Sequence, residues 1–543
     1  MRVSREITEN ADMAAPSFLL VLALALGGLR SSAAWAVFTA LFLAWFLMSR
    51  RPFAPTSALP ALFFSWLAAA SFFSPDLAAS LPVLCKYAVL GLFFFSASSA
   101  PCGRENWLRA VLGLGALAAS VFIFQKLSGR PVLGLVGANP NYSAVFAAAA
   151  FPAAVIILSG AEGVRGISVY SVLVLLLAAG MVVSGSRGAL LAACLSAGAG
   201  LAVLGKRRAL AALILALLAV AALSPVSTLE GVFKFSAARA FERPRLWGAA
   251  LEAAAARPFF GWGPGLFERA FEIVKFPYFD GISYYGHYTM HAHSEPLNLA
   301  AEAGFPAAVF FVLAAAAGLL GGGRRGLPLK LAALAVFIEA GTDMIFYSGA
   351  SALLFWGCLG FSGYAGEAPA ARPKLKWLAA GSLCALWLAA GLASGAAVRG
   401  GSFLQLGYSE ALAGRNPELA LAALDYSGRH EPKDPFLAEA AGRVLAASGR
   451  SAEAEASFRR ALALEPFYAG ARLDLAHLRA DAGLRGECSA MIRAMPLPSV
   501  SGARNSYQRA LLERGGVSIE RLEKDICWKK KTGGATAPGP RTR

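Results

Sequence analysis

Charged side chains are scarce in this chain. Asp, Glu, Lys and Arg make up 15% of its 543 residues against 57% hydrophobic residues, far more apolar surface than a soluble protein of this length needs, so most of it must face lipid. The seven cysteines show no metal-ligand spacing: Cys85, Cys194, Cys358 and Cys384 fall in apolar runs and Cys102 in a cytoplasmic turn, leaving Cys488 and Cys527 as the pair able to meet outside the membrane. No small-residue cleavage site separates the first apolar run from a soluble domain, so that run reads as a retained helix rather than a signal peptide. The hydropathy also lacks the internal repeats and broken helices of a transporter, which weakens the reading of a lipid or polysaccharide transporter with a solenoid docking domain. Histidine is rare too, at five residues.

What is abundant is apolar sequence. Runs at 13–29, 33–48, 58–73, 82–99, 107–127, 142–159, 168–184, 188–204, 209–224, 296–320, 329–347, 351–364 and 377–398 predict about thirteen transmembrane helices. The net charge of +17 does not indicate nucleic acid, because the basic residues do not line one amphipathic face. They mark alternate loops: Arg50 and Arg51, Arg104, Arg165, Lys206 to Arg208, Arg324 and Arg325 with Lys330, then Arg372, Lys374 and Lys376. The turns at 74–80 and 348–350 carry no Lys or Arg, with Arg130 and Arg187 as exceptions to the alternation. The positive-inside rule then places the N-terminus in the cytoplasm, and the loop 225–295 and everything after 398 outside an inner, multi-pass membrane domain.

Beyond 398 the composition turns rich in Ala, Arg and Glu. Pro432 and Pro466 are 34 residues apart, the tetratricopeptide period, and Gly442, Ala454, Phe458 and Ala461 fall at its small and aromatic packing positions. The preceding repeat keeps Ala420 but has Tyr408 where a small residue is expected. The expected fold is therefore all-α: a polytopic membrane helix bundle over 1–398 and a tetratricopeptide-like α-solenoid over 399–500. A helical remnant and a disordered basic tail fill 501–543. The solenoid is either a structural cap or a concave surface that recruits a protein or glycan-assembly partner.

The chemistry gathers in the external loop, which holds Arg243-Pro-Arg245-Leu-Trp247, then Gly261-Trp-Gly263-Pro-Gly265, then His287, His291 and His293 with Ser294 and Glu295. The glycine run neither follows a strand nor opens a dinucleotide fold, so it supplies tight turns that bring the loop against the bilayer or a diphosphate. The three histidines could bind a metal with Asp280 or Glu295, although their spacing is not that of a rigid helical pair. Glu339 and Asp343, four apart in an apolar run, share one face; they orient the arginines, serve as a base, or form a structural carboxylate pair.

In order and topology these pieces resemble the O-antigen ligase and polymerase superfamily of membrane glycosyltransferases, over roughly 80–365 and most specifically 239–304. The resemblance rests on Arg243 with Trp247; on Pro258, Gly261, Gly263, Gly265 and Phe267; and on His293-Ser294 with Glu302 and Gly304. Upstream, Gly137-Ala-Asn139-Pro-Asn141 and Ser184-Gly-Ser186-Arg187-Gly188 also look like family motifs. It implies attack by a glycan, lipid or protein hydroxyl on the anomeric carbon of a glycan carried by a polyprenyl diphosphate, with no cofactor and no metal. Histidine near neutral pH suits the base, so His293 takes that role. Arg187 and Arg243 would hold the departing diphosphate, with Arg245 and Arg239 behind them. Asn139, Asn141, Gly261, Gly263, Gly265, Glu302 and Lys86 would line the substrate, Lys86 alternatively snorkelling to the interface. Ala307 stands where ligases often carry Gly, Thr or Tyr, so ligase, polymerase and protein O-oligosaccharyltransferase all remain open.

Overall fold

The computed structural model describes residues 2–49, 57–99, 103–223, 242–274, 289–364, 374–392, 416–495 and 519–528, apart from isolated positions. Expectations resting on Arg239, Asp280, His287, Tyr408 and Cys102 lie outside the described residues. Every described element is helical. The apolar runs hold α1 (Arg2–Ala25), α2 (Ser32–Met48), α3 (Ala58–Phe72), α4 (Leu77–Ser99), α5 (Arg104–Leu127), α6 (Asn141–Ser159), α7 (Gly163–Ser184), α8 (Arg187–Val203) and α9 (Arg207–Leu223). The polar loop contains α10 (Glu242–Ala256), α11 (Phe267–Val274) and α12 (Glu295–Ala303). Then follow α13 (Phe305–Leu320), α14 (Leu327–Thr342), α15 (Gly349–Phe361) and α16 (Lys374–Leu392).

Five of these helices are long and apolar enough to cross a membrane, or six if the bent pair α13 and α14 is one span, and five further apolar helices are shorter. Each predicted run thus holds a helix, but two differ from expectation. The run 296–320 breaks at Gly304 (φ +84), where a side chain would strike the backbone of Phe259. The run 329–347 stops being α-helical after Thr342, and 345–347 forms a single 3₁₀ turn.

The Ala-rich α6 is the central helix, with 78% of its apolar window buried in the protein against 17% for α7. Helices α5, α7, α8 and α14 pack around it. Small residues allow the approach, since a Cβ on Gly115 would strike Ala150 and one on Gly180 would strike Ala119. In lipid, where apolar burial gives little drive, such close packing supplies the association energy.

Four basic residues of the predicted inward loops gather at one end of this bundle. Arg104 Nε donates to Phe361 O at 2.8 Å, Lys206 Nζ to Ser159 O at 3.1 Å, Lys330 Nζ to Gly321 O, and Lys376 Nζ to Ser49 O at 2.7 Å. Each bonds a carbonyl at or just past a helix C-terminus, a favourable place for a cation. The opposite end carries Arg30, the 130–141 segment, the α7–α8 turn, Asp343 and the polar loop. A buried ion pair between Asp76 and Arg269, at 2.9 Å, ties α11 to the turn before α4 there.

After α16 the described chain forms α17 (Pro417–His430), α18 (Pro435–Ala447), α19 (Ser451–Leu464), α20 (Ala469–Asp481) and α21 (Arg485–Arg493), each packed on the next. Ala420, Ala454, Phe458 and Ala461 are buried, and Gly442 leaves room for the Phe458 ring. A last helix, α22 (Ile519–Cys527), returns to α21 through the Cys488–Cys527 disulfide.

Candidate active site

Segments remote in sequence converge where α14 ends. Asp343 follows its last residue, outside the apolar span, and its side chain is 6% exposed. Oδ1 meets His293 Nδ1 at 3.0 Å and accepts from the Met344 N–H at 2.9 Å. Oδ2 accepts from Arg243 at 3.0 Å and from the side-chain amide of Asn141. Burial alone would raise this carboxyl, but the His293 hydrogen bond and the charges of Arg243 and His293 hold it down at about 2. Asp343 is therefore a carboxylate shared by the two residues expected to do the chemistry.

The Arg-x-x-x-Trp spacing has a physical reason. Residues four apart share a helix face, so from α10 Arg243 reaches Asp343 and donates to Thr342 O at 2.8 Å, while Trp247 Nε1 donates to His293 O at 3.0 Å. One helical turn positions both the cation and the histidine backbone. Arg245, two residues from Arg243, leaves α10 on a different face. His293 has φ +52, a left-handed conformation uncommon for a side-chain-bearing residue. The bond from Trp247 and that from the Ala292 N–H to Asn298 Oδ1 at 3.1 Å brace it. Its side chain is 37% exposed and that of Arg243 32%, so both open outward from a buried carboxylate. With Nδ1 on Asp343, the neutral imidazole carries its proton there and presents the Nε2 lone pair.

Arg187 opens α8 after Gly185 (φ +68) and the helix-capping Ser186. Ser186 Oγ lies 3.5 Å from Glu339 Oε1, and a Cβ on Gly188 would come 3.3 Å from Thr342 Oγ1. The α7–α8 turn thus packs on the last turn of α14, bringing Arg187 to the same end. Asn139 shapes the start of α6, its Oδ1 accepting from the Asn141 N–H at 3.0 Å, and so presents Asn141 to Asp343. Lys86 on α4 is close enough for its charge to act on His291. Burial first, then the neighbouring His293, lowers His291 to about 4, so it is neutral at physiological pH.

The glycine run is a correction. Gly261, Gly263 and Gly265 all have positive φ, as tight turns require, but all three amides bond within the protein, that of Gly261 donating to Arg257 O at 3.1 Å. Gly263 N–H donates to Glu302 O at 2.8 Å and Gly265 N–H to Glu302 Oε2 at 2.9 Å, while Oε1 accepts from the first residue of α11, Phe267, at 3.2 Å. Glu302 therefore caps α11 and latches the loop to α12, and the amides it occupies are not available to a phosphate.

Glu295 is a further buried carboxyl, accepting from the Phe346 N–H at 2.7 Å and bracing the segment around His293 from the other side. Burial, partly opposed by that bond, pushes it up to about 8. An acid raised on folding leaves stability complete below its ordinary range, roughly 4.3, and diminishes it as pH climbs towards the folded value. The thermal midpoint should fall by roughly a few degrees between about pH 5 and pH 8, and Glu295→Gln should flatten that fall. An equal fall in the variant, followed by circular dichroism, would assign it to other groups.

Three residues at this end escaped the sequence reading. Arg30, before α2, lies over the rings of Tyr142 and Tyr347, and Tyr347 faces the His291 ring at 4.8 Å. A basic residue in an outward turn is the signal that could have found Arg30. A family model described as O-Antigen ligase matches residues 172–312, a span that includes Arg187, Arg243 and His293. No curated protein matches the chain. Over those residues the chain is similar to O-antigen ligases, and the apolar helices around them are compatible with a membrane helix bundle.

Proposed function

We propose that the chain transfers a glycan from a polyprenyl-diphosphate carrier to an acceptor hydroxyl on the outer face of the cytoplasmic membrane. The single observation that carries this reading is Asp343 bonded at once to His293 and Arg243. His293 Nε2 takes the acceptor proton as the acceptor oxygen forms its bond to the anomeric carbon. The bond from that carbon to the diphosphate breaks, and the polyprenyl diphosphate leaves with the electron pair. Arg243 and Arg187 stabilise its charge, a task for which the guanidinium fork is suited. Asp343 orients the imidazole and stabilises the imidazolium that forms, as the acid member of a catalytic triad does.

The orientation rests on the basic residues at one end of the bundle, read as cytoplasmic, and on the Cys488–Cys527 disulfide, which suits an oxidising compartment for the part after 398. That part, read as a tetratricopeptide-like solenoid, recruits a protein partner. A deletion strain tests the function: polyprenyl-linked glycan should accumulate while one surface glycoconjugate disappears, both followed by mass spectrometry. Unchanged lipid-linked pools and unchanged surface glycans would overturn it.

A further inference from the structure

Arg30 sits at the end of a turn that the fold imposes. Gly27, Gly28 and Leu29 all have positive φ, at 70°, 74° and 56°. A Cβ on Gly28 would strike Val136 and Ser348, Ser348 Oγ donates to Gly28 O at 3.2 Å, and Leu29 is fully buried. The turn is thus held against the segment before α6 and the segment after Asp343. Its guanidinium carbon then lies 5.7 Å from the Tyr142 ring centre and 5.9 Å from that of Tyr347. Tyr142 follows Asn141, which bonds Asp343, and the Tyr347 ring lies tilted against that of His291.

Two aromatic faces attract a cation without neutralising it. Among the described residues no carboxylate pairs with Arg30, and its buried Nε meets no acceptor. A guanidinium whose buried Nε–H meets no acceptor among the described residues is costly for a structural contact, yet its fork is suited to an anion that accepts bonds in pairs. We propose that Arg30 is a further binding residue for the diphosphate of the lipid-linked donor, a third cation beside Arg243 and Arg187. This rests on the glycan-transfer reading above.

The test uses the full chain in nanodiscs, with polyprenyl diphosphate and polyprenyl monophosphate as probes in a binding titration. Wild type should prefer the diphosphate. Arg30→Gln should lose about tenfold or more in affinity for it, as expected for lost hydrogen bonds to a charged group, with a smaller loss for the monophosphate. Arg30→Lys keeps the charge without the fork and should fall between the two. Unreduced diphosphate affinity in a glutamine variant that melts like wild type would overturn the assignment while leaving the donor reading intact. An equal loss for both lipids would overturn it as well, and a wild type that binds no polyprenyl diphosphate would overturn both. If Arg30→Gln does not fold, the lysine variant decides, with wild-type affinity counting against the assignment and reduced affinity for it.

Discussion

Replacing His293 by alanine should lower glycan turnover by ~10²–10⁴-fold, the range that general-base catalysis contributes, while donor binding survives. The imidazole is the only group removed; Trp247 still has the residue 293 carbonyl to bond, and Arg243 still has Asp343. The assay uses purified protein in nanodiscs with a lipid-diphosphate donor and an acceptor glycan, with and without a chelator. Chelation should leave wild-type turnover unchanged. Near-normal turnover by a folded His293→Ala protein would remove the base assignment, and activity lost on chelation and restored by metal would favour the histidine metal site instead.

Asp343→Asn should be about as severe. The amide keeps the size of the side chain but removes the charge that Arg243 and His293 share, and it can present a donor where His293 Nδ1 needs an acceptor. The wrong imidazole tautomer costs about 10⁴-fold in the serine-protease case, and a loss of ~10²–10⁴-fold is expected here. Because the two residues act as one unit, the His293→Ala, Asp343→Asn double variant should be little slower than either single variant. Multiplying losses in that cycle would show that Asp343 acts on its own.

Much of this was legible in local pattern. The apolar runs hold helices because an uninterrupted apolar stretch in lipid must satisfy its backbone bonds internally. Arg243 and Trp247 were legible as a pair through helical spacing. Asp343 was legible as a carboxylate in an apolar run able to orient an arginine, but its bonds to His293 and Asn141 were not, since its partners lie 50, 100 and 202 residues away and no local pattern encodes such contacts. The break at Gly304 escaped because the hydropathy runs straight through it; the cause is the Phe259 backbone crossing at that point. Glu302 illustrates the same limit. Its place in a motif marked it as important without revealing that its partners would be the amides of Gly265 and Phe267.

Among the described residues, two that are not glycine have a left-handed backbone, Leu29 and His293. Such a conformation costs of order 1 kcal/mol or more. For Leu29 the cost is offset by a side chain that is wholly buried. His293 buries less, with more than a third of its side chain open to the surroundings, and what holds it is the bond of its imidazole to Asp343. Glycine would occupy that position without strain but would leave Asp343 Oδ1 without the imidazole. Under the proposed glycan transfer, the strained backbone at 293 and the buried carboxylate together fix the direction in which the imidazole faces an acceptor.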